Sequence, residues 1–463
     1  MEETHLRQRR QTVKLGLIKI VQELFPEEKL KTAYSIQEGV FCKLAESLLS
    51  EREVKQISIK LNEWVEKDSP IEFLGKKNGY YRYKLGETVI NALYPAGTTA
   101  SMVEPFNIIP YSTGFIVDFG DAQRGGDKPL IPPDKLSATY EKTQWWLKNI
   151  NLELVTDVNS YIDSGRSNEL LGIAEALQEK EISDIADMIL QQRRALRVLL
   201  VSGPSSSGKT SFAQRLSTQL RVNGLKPVPL SLDDYFVNRE QTPRDEDGKY
   251  DFENLEALDL ELLQEHVIGL IEGREIETPV YDFVTGMRSE KTRSMHVGHS
   301  EILVIEGIHA LNPNLLPAIN RSTLFKIYIG ALFELNVDLT NRVPTTEVRL
   351  IRRLVRDDRF RGINPEDTLN QWASVRRGEY KNVFKYAEES DVMFNSSLLY
   401  EMNALRPFAE VSLRKIEDAS PHRDTRERLS NLLSFFEPMD VSKVPFNSIL
   451  REFIGGSIYF DGK

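Results

Sequence analysis

Between an apolar run (RVLLVSG, 197–203) and a helix-forming run (SFAQRLSTQLRV) the chain reads Gly203-Pro204-Ser205-Ser206-Ser207-Gly208-Lys209-Thr210. Few eight-residue segments restrict a fold as tightly. The spacing G-x-x-x-x-G-K-[ST] between strand and helix is that of a phosphate-binding loop. Small residues let backbone N–H groups turn inward around a phosphate, and the helix N-terminus adds partial positive charge. Lys209 can then reach the β- and γ-phosphates, and the Thr210 hydroxyl can bind Mg²⁺. Residues 203–210 together with Ser211 are therefore expected to hold ATP. The loop alone does not say what is done with it.

The surroundings fix the fold class. Apolar runs recur at 227–232 (PVPLSL), 301–307 (EILVIEG) and 324–330 (LFKIYIG). Helical stretches lie between the early ones, with Asp259 placed to cap LDLELLQEHVIGLIEG. Such alternation implies an α/β fold, a doubly wound parallel sheet covered on both faces. Residues 1–125 mix a helical start (VKLGLIKIVQELF) with strand-like pieces such as YYRYKLG, giving an α+β domain. A Gly/Pro/Asp-rich joint, GDAQRGGDKPLIPPDK, and helical segments fill 126–192. The phosphate-loop domain is then expected over 193–395, and a helical C-terminal extension over 396–463. With 463 residues and ~150 per domain, a division into about three or four parts is in range.

Charge and cysteine content remove several classes. Lys+Arg 59 against Asp+Glu 69 leaves a net charge of -10, which argues against a protein that coats nucleic acid. A single cysteine, Cys42, forms no intrachain disulfide, as expected of a cytoplasmic chain. No stretch approaches the roughly 18 apolar residues of a membrane helix. The start, MEETHLRQRR, lacks the apolar run of a secretory signal. Neither a membrane nor a nucleic-acid partner is expected.

Three further features bear on chemistry. The run 227–232 leads into Asp233, either a general base at a strand end or a turn residue. The strand expected within 301–307 ends at Glu306, either a carboxylate near Mg²⁺ or an acidic loop residue. Arg349, Arg352, Arg353 and Arg356 fall at i, i+3, i+4, i+7, with Leu350, Ile351, Leu354 and Val355 forming the other stripe. That pattern fits a solvated face or a basic lid over a migrating phosphoryl group. The polar loop 238–250 reads as a mobile flap. His296 and His299 read as loop residues rather than metal ligands, and His309 as a packed histidine. Trp145 and Trp146 read as one core and one surface aromatic.

Taken in order, GPSSSGKT, SLDDYF, YDFENLEALD, PVYDFVTG, VIEGIHALN and RRLVRDDRFRG resemble the uridine kinase and phosphoribulokinase family of P-loop kinases over about 197–395. The likeness is nearest to its bacterial nucleoside kinase branch. It implies ATP-dependent phosphorylation of a nucleoside 5′-hydroxyl with Mg²⁺, of uridine or cytidine type, and is compatible with a homo-oligomer. By the same resemblance Asp233 is the base, and Lys209, Arg356 and Arg361 stabilise transferring charge. Thr210 and Glu306 hold Mg²⁺. Glu253 lies against the ribose, Tyr281 lines the acceptor pocket, Gln371 meets the pyrimidine, and Arg353 is a substrate arginine. Two positions depart from the pattern: Gly286 replaces a histidine that contacts the base, and Ile363 replaces an arginine. Another hydroxyl acceptor, or an ATP-gated protein that binds tRNA or another partner, is the alternative.

Residues 24–44, LFPEEKLKTAYSIQEGVFCKL, followed by ISIKLNEWVEKDSPIEF read as helical, resemble the second additional domain of threonyl-tRNA synthetase. That domain edits with an H-x-x-x-H pair and a later Cys and His. Here the corresponding segment is VKLGLIKIV, and His5 and Cys42 are the only such residues before position 150. A four-ligand Zn²⁺ site cannot be assembled from them. The resemblance therefore implies a degenerate editing-type domain, kept for binding, regulation or dimerisation.

Overall fold

Five strands form one parallel sheet, in the spatial order Val392–Asn395, Leu324–Gly330, Val198–Ser202, Glu301–Glu306, Lys226–Ser231. The computed structural model describes residues 2–36, 38–120, 130–246, 248–282 and 285–460. Residues 121–129 of the expected joint, and Phe283 and Val284 of PVYDFVTG, lie outside the described residues. Val198–Ser202 and Leu324–Gly330 are buried at every position, so an uninterrupted apolar run can sit in the sheet centre. From Val198–Ser202 the chain moves outward to Lys226–Ser231, returns through Glu301–Glu306, and crosses to the other side at Leu324–Gly330. That reversal opens a crevice at the C-terminal ends of the strands. Helices Lys209–Val222, Leu260–Ile271 and Pro365–Asn382 flank the strands. Asp259 caps the second as expected, its Oδ1 accepting from the Leu262 N–H at 3.2 Å.

The chain divides into two compact units. The sheet just described belongs to a unit made of Asn168–Leu332, Arg349–Glu401 and Asp440–Lys463. The other unit comprises Met1–Ser167, Phe333–Val348 and Met402–Met439. It contains a four-stranded antiparallel sheet, ordered Leu30–Ile36, Gly39–Leu44, Gly114–Asp118, Asn107–Tyr111, and a three-stranded one spanning Glu72–Lys77, Tyr80–Leu85 and Thr88–Ala92. Helices Glu2–Leu24 and Glu51–Glu66 supply Val13, Leu17, Ile57, Leu61 and Trp64 to a core shared with Cys42 and Phe115. Among the described residues no group of three or more His, Cys, Asp or Glu is placed to hold a metal ion. No described helix is long and apolar enough to cross a membrane.

Two expectations change, and the compact units add a fact about packing. ISIKLNEWVEKDSPIEF is not helical throughout: the helix stops at Glu66 and Glu72–Lys77 is a strand. Pro70 disfavours helical geometry at Ser69, which explains the break. The serial division 1–125, 126–192, 193–395, 396–463 follows chain order, whereas packing joins distant segments. Within the unit that holds the four-stranded antiparallel sheet Arg7 and Arg428 both pair with Glu347, Asn336 donates to the Thr32 carbonyl (2.8 Å), and Asn403 donates to Asn159 (2.9 Å). The helix Thr345–Phe360 is also no solvated face. Arg349 and Arg352 are 1% and 0% exposed, each paired with a buried carboxylate, Glu379 and Glu401 respectively.

Removing one partner of such a pair strands a charge away from water. Glu401→Ala is expected to destabilise the sheet unit by about 3–5 kcal/mol. Urea unfolding checks this, and a loss below about 1 kcal/mol would refute a structural role for the pair.

Candidate active site

The phosphate loop begins where Val198–Ser202 ends, and its backbone is left-handed at Ser206 (φ 59°) and Gly208 (φ 83°). These turns fold the loop around a small concavity at the N-terminus of Lys209–Val222. Its outer face is gripped by the chain. Arg349 Nε donates to the Ser205 carbonyl at 3.0 Å, Arg352 to the Ser206 carbonyl at 3.3 Å, and the Ser205 N–H to Glu379 at 2.8 Å. Lys209 is buried and donates to the Pro204 carbonyl at 3.2 Å. The hydroxyls of Ser206 and Ser207 are buried without a hydrogen-bond partner. Buried donors rarely go unpaired, so this loop fits an anion with several oxygens.

Strand register gathers the carboxylates at the same end. Glu306 lies beside Val201 on one side and Ser231 on the other, two positions before Gly203 and Asp233 respectively. Burial pushes the Glu306 carboxyl up to about 8; Lys209 opposes the rise, while Asp233 and Glu452 add to it. The Thr210 side chain is hydrogen-bonded to Glu306. These two groups offer hard oxygen donors of the kind Mg²⁺ takes. Asp233 is exposed in the turn Leu232–Tyr235, where Ser231 Oγ accepts from the Asp233 N–H at 3.3 Å and supplies the cap. Its charge is felt by both Glu306 and Arg361.

Arg353, Arg356 and Arg361 converge on one carboxylate. They lie 3.2, 3.0 and 3.8 Å from Asp357, which is fully buried. Arg353 also donates to Ser205 Oγ (2.9 Å) and to Gln371 (3.2 Å), joining this cluster to the phosphate loop. The proximity of Arg356, then burial, brings the Arg361 guanidinium down to about 10. Like charges this close call for an anion. Glu253 packs so tightly on Gly378 that a β-carbon there would come within 2.2 Å of it. Burial and then Glu379 raise the Glu253 carboxyl to about 7, and its Oε2 has no hydrogen-bond partner. Tyr281 is buried, its ring 5.6 Å from that of Phe236, and its N–H donates to Asp234 at 3.4 Å. Gly286 faces Arg239, whose guanidinium lies 2.5–2.8 Å from where a β-carbon would stand.

The structure thus gathers the loop, Asp233, Glu306, Arg353, Arg356, Arg361 and Gln371 at one strand-end region. Within the loop expected to be a flap, Asp245 accepts from Ser374 (3.1 Å) and Arg377 (3.2 Å). His296 and His299 are exposed, Trp145 is exposed and Trp146 half-buried. Sequence reasoning missed Asp357 and Glu379. Both lie at helical spacing from the arginines they serve, Asp357 four residues after Arg353 and Glu379 three after Arg376, which is the signal that would have found them.

Comparison with known proteins places this region. The Phosphoribulokinase / Uridine kinase family profile matches residues 198–398. A uridine kinase of Bacillus pumilus is 30% identical over 180 residues, 39% of this chain and 76% of that protein. One from Schizosaccharomyces pombe is 32% identical over 191 residues, 41% of this chain but only 38% of that protein. One from Lactobacillus johnsonii is 29% identical over 191 residues, covering 41% and 81%.

Just beyond Glu306, His309 is 1% exposed, and burial lowers its pKa to about 4. The unfolded chain therefore takes up a proton near pH 6.5 that the folded one refuses until about pH 4. Its contribution is intact above pH 6.5 and lost as pH falls, up to about 3 kcal/mol. Denaturation midpoints of the native protein and His309→Gln should converge between pH 7 and 4; parallel curves would contradict a buried neutral imidazole.

Proposed function

The chain belongs to the phosphoribulokinase / uridine kinase family, and from that premise we propose that it transfers the γ-phosphoryl group of ATP to a nucleoside 5′-hydroxyl, giving a nucleoside monophosphate and ADP. The observation that carries this reading is the cation surplus beside the phosphate loop. Three arginines share the single carboxylate of Asp357, and one of them also holds Ser205. Structural ion pairing alone needs no such excess. Charge spread over a transferring phosphoryl group does.

In this reading Asp233 accepts the proton of the attacking hydroxyl. The hydroxyl oxygen forms the new bond to phosphorus, and the bond to the bridging oxygen breaks, leaving ADP. Lys209, Arg356 and Arg361 meet the charge on the phosphoryl oxygens. Mg²⁺, held by Thr210 and Glu306, would neutralise charge between the phosphates. Glu253 accepts hydrogen bonds from the ribose, with Tyr281, Gln371 and Arg353 lining the acceptor pocket. The cytoplasm, where Cys42 stays reduced, suits such an enzyme. Arg239 beside Gly286 gives the pocket a cation where the resemblance would put an imidazole, so base preference has to be measured.

Acceptor-dependent ADP release with Mg²⁺-ATP, across ribo- and deoxynucleosides, tests the assignment. Asp233→Asn is expected to lower turnover by ~10²–10⁴ with ATP affinity largely kept. Unchanged turnover would refute its role as base. Lys209→Ala should impair both ATP affinity and turnover, and near-normal values for both would contradict the assignment of the loop.

A further inference from the structure

The family match ends at residue 398, yet the sheet unit also takes in Asp440–Lys463. In that segment Ser448, Ile449, Leu450 and Phe453 are fully buried. Arg451 ties the turn together, donating to the carbonyls of Val441 (3.1 Å), Val444 (2.6 Å) and Gly455 (3.2 Å). Ser448 and Tyr400 share a hydrogen bond of 3.4 Å. From this anchored turn three side chains, at i, i+3 and i+4, reach the phosphate loop and its helix. Ile449 Cγ2 lies 2.5 Å from the point a β-carbon on Gly208 would occupy. Glu452 accepts a hydrogen bond from Ser211 Oγ at 2.8 Å. The Phe453 ring lies 5.0 Å from the Arg352 guanidinium, which holds the Ser206 carbonyl.

We propose that the turn 449–453 is part of the nucleotide site, with Ile449 and Glu452 as positioning residues that fix the phosphate loop and Ser211 for an incoming triphosphate. This rests on the reading of 203–211 as an ATP-binding loop. A loop with left-handed residues at Ser206 and Gly208 has backbone freedom to lose on binding, and packing that removes it beforehand strengthens binding. Ile449 closes the space under Gly208, so the loop cannot relax there. The Glu452 carboxylate meets Ser211 in the first turn of Lys209–Val222, where the helix N-terminus favours an anion, and it sets the direction of the Ser211 hydroxyl.

Calorimetric titration of the full chain with Mg²⁺-ATP, paired with steady-state kinetics, tests this. Ile449→Ala and Glu452→Ala should each raise the ATP Kd and KM about tenfold, with kcat changed less than about threefold. Glu452→Gln should recover most of the affinity, because its amide oxygen still accepts from Ser211. Leu220→Ala, a buried change in the last turn of the same helix, serves as the control: with a comparable loss of Tm it should bind ATP as the native chain does. Ile449→Val covers the case in which Ile449→Ala does not fold, and Glu452 is only half-buried. ATP affinity within about twofold of native in both alanine variants, or reduced no further than in Leu220→Ala, would overturn the proposal. Lys209→Ala separates the two readings. If it alone loses ATP, only the positioning role fails; if it too binds normally, the loop assignment fails and the proposal with it.

Discussion

Two buried ion pairs, Arg349–Glu379 and Arg352–Glu401, hold the phosphate loop from outside. Each arginine spends one edge on a carboxylate and another on a loop carbonyl, Ser205 or Ser206. A guanidinium is suited to this because its donors are rigidly forked and it keeps its charge when buried. The loop carbonyls are thereby satisfied by the protein. Its inward-facing hydroxyls, at Ser206 and Ser207, are not. The loop thus has backbone held by buried arginines at Ser205 and Ser206 and hydroxyls left unpaired at Ser206 and Ser207, an arrangement that suits an anion.

The same logic of incomplete pairing runs through the neighbouring charges. Asp357 serves three arginines, while Glu306 and Glu253 lie deep enough for burial to raise both carboxyls toward neutrality. Cations are in surplus on one side and acids are costly to ionise on the other. Phosphate oxygens and a divalent cation between them would relieve both conditions together. The arrangement has the marks of a site whose electrostatics are completed by what it binds.

The sheet was legible because its central strands are buried on both faces, which writes apolar runs into the sequence, and because the loop motif needs fixed residue types at fixed spacing. Asp259 as a helix cap was legible for the same local reason. The arginine helix was harder. A basic stripe at helical spacing looks the same whether it faces water or buried carboxylates, and Glu379 and Glu401 lie 30 and 49 residues away from the arginines they pair with. The true division of the chain was hidden more deeply still. Glu347, shared by Arg7 and Arg428, joins three distant segments through single polar contacts that leave no periodicity to read.

The discontinuity of the sheet unit has a consequence for synthesis. Lys209 and the loop are made long before Glu401 and the turn that carries Ile449, and at ~5–20 residues per second the gap is on the order of tens of seconds. For most of that interval the loop has neither Arg352 nor Glu401, and throughout it Gly208 has no Ile449 packed against it. The nascent sheet must wait, with its most demanding loop unsupported, for chain that lies beyond the family match. A fragment cut at the family match would stay in that unfinished condition.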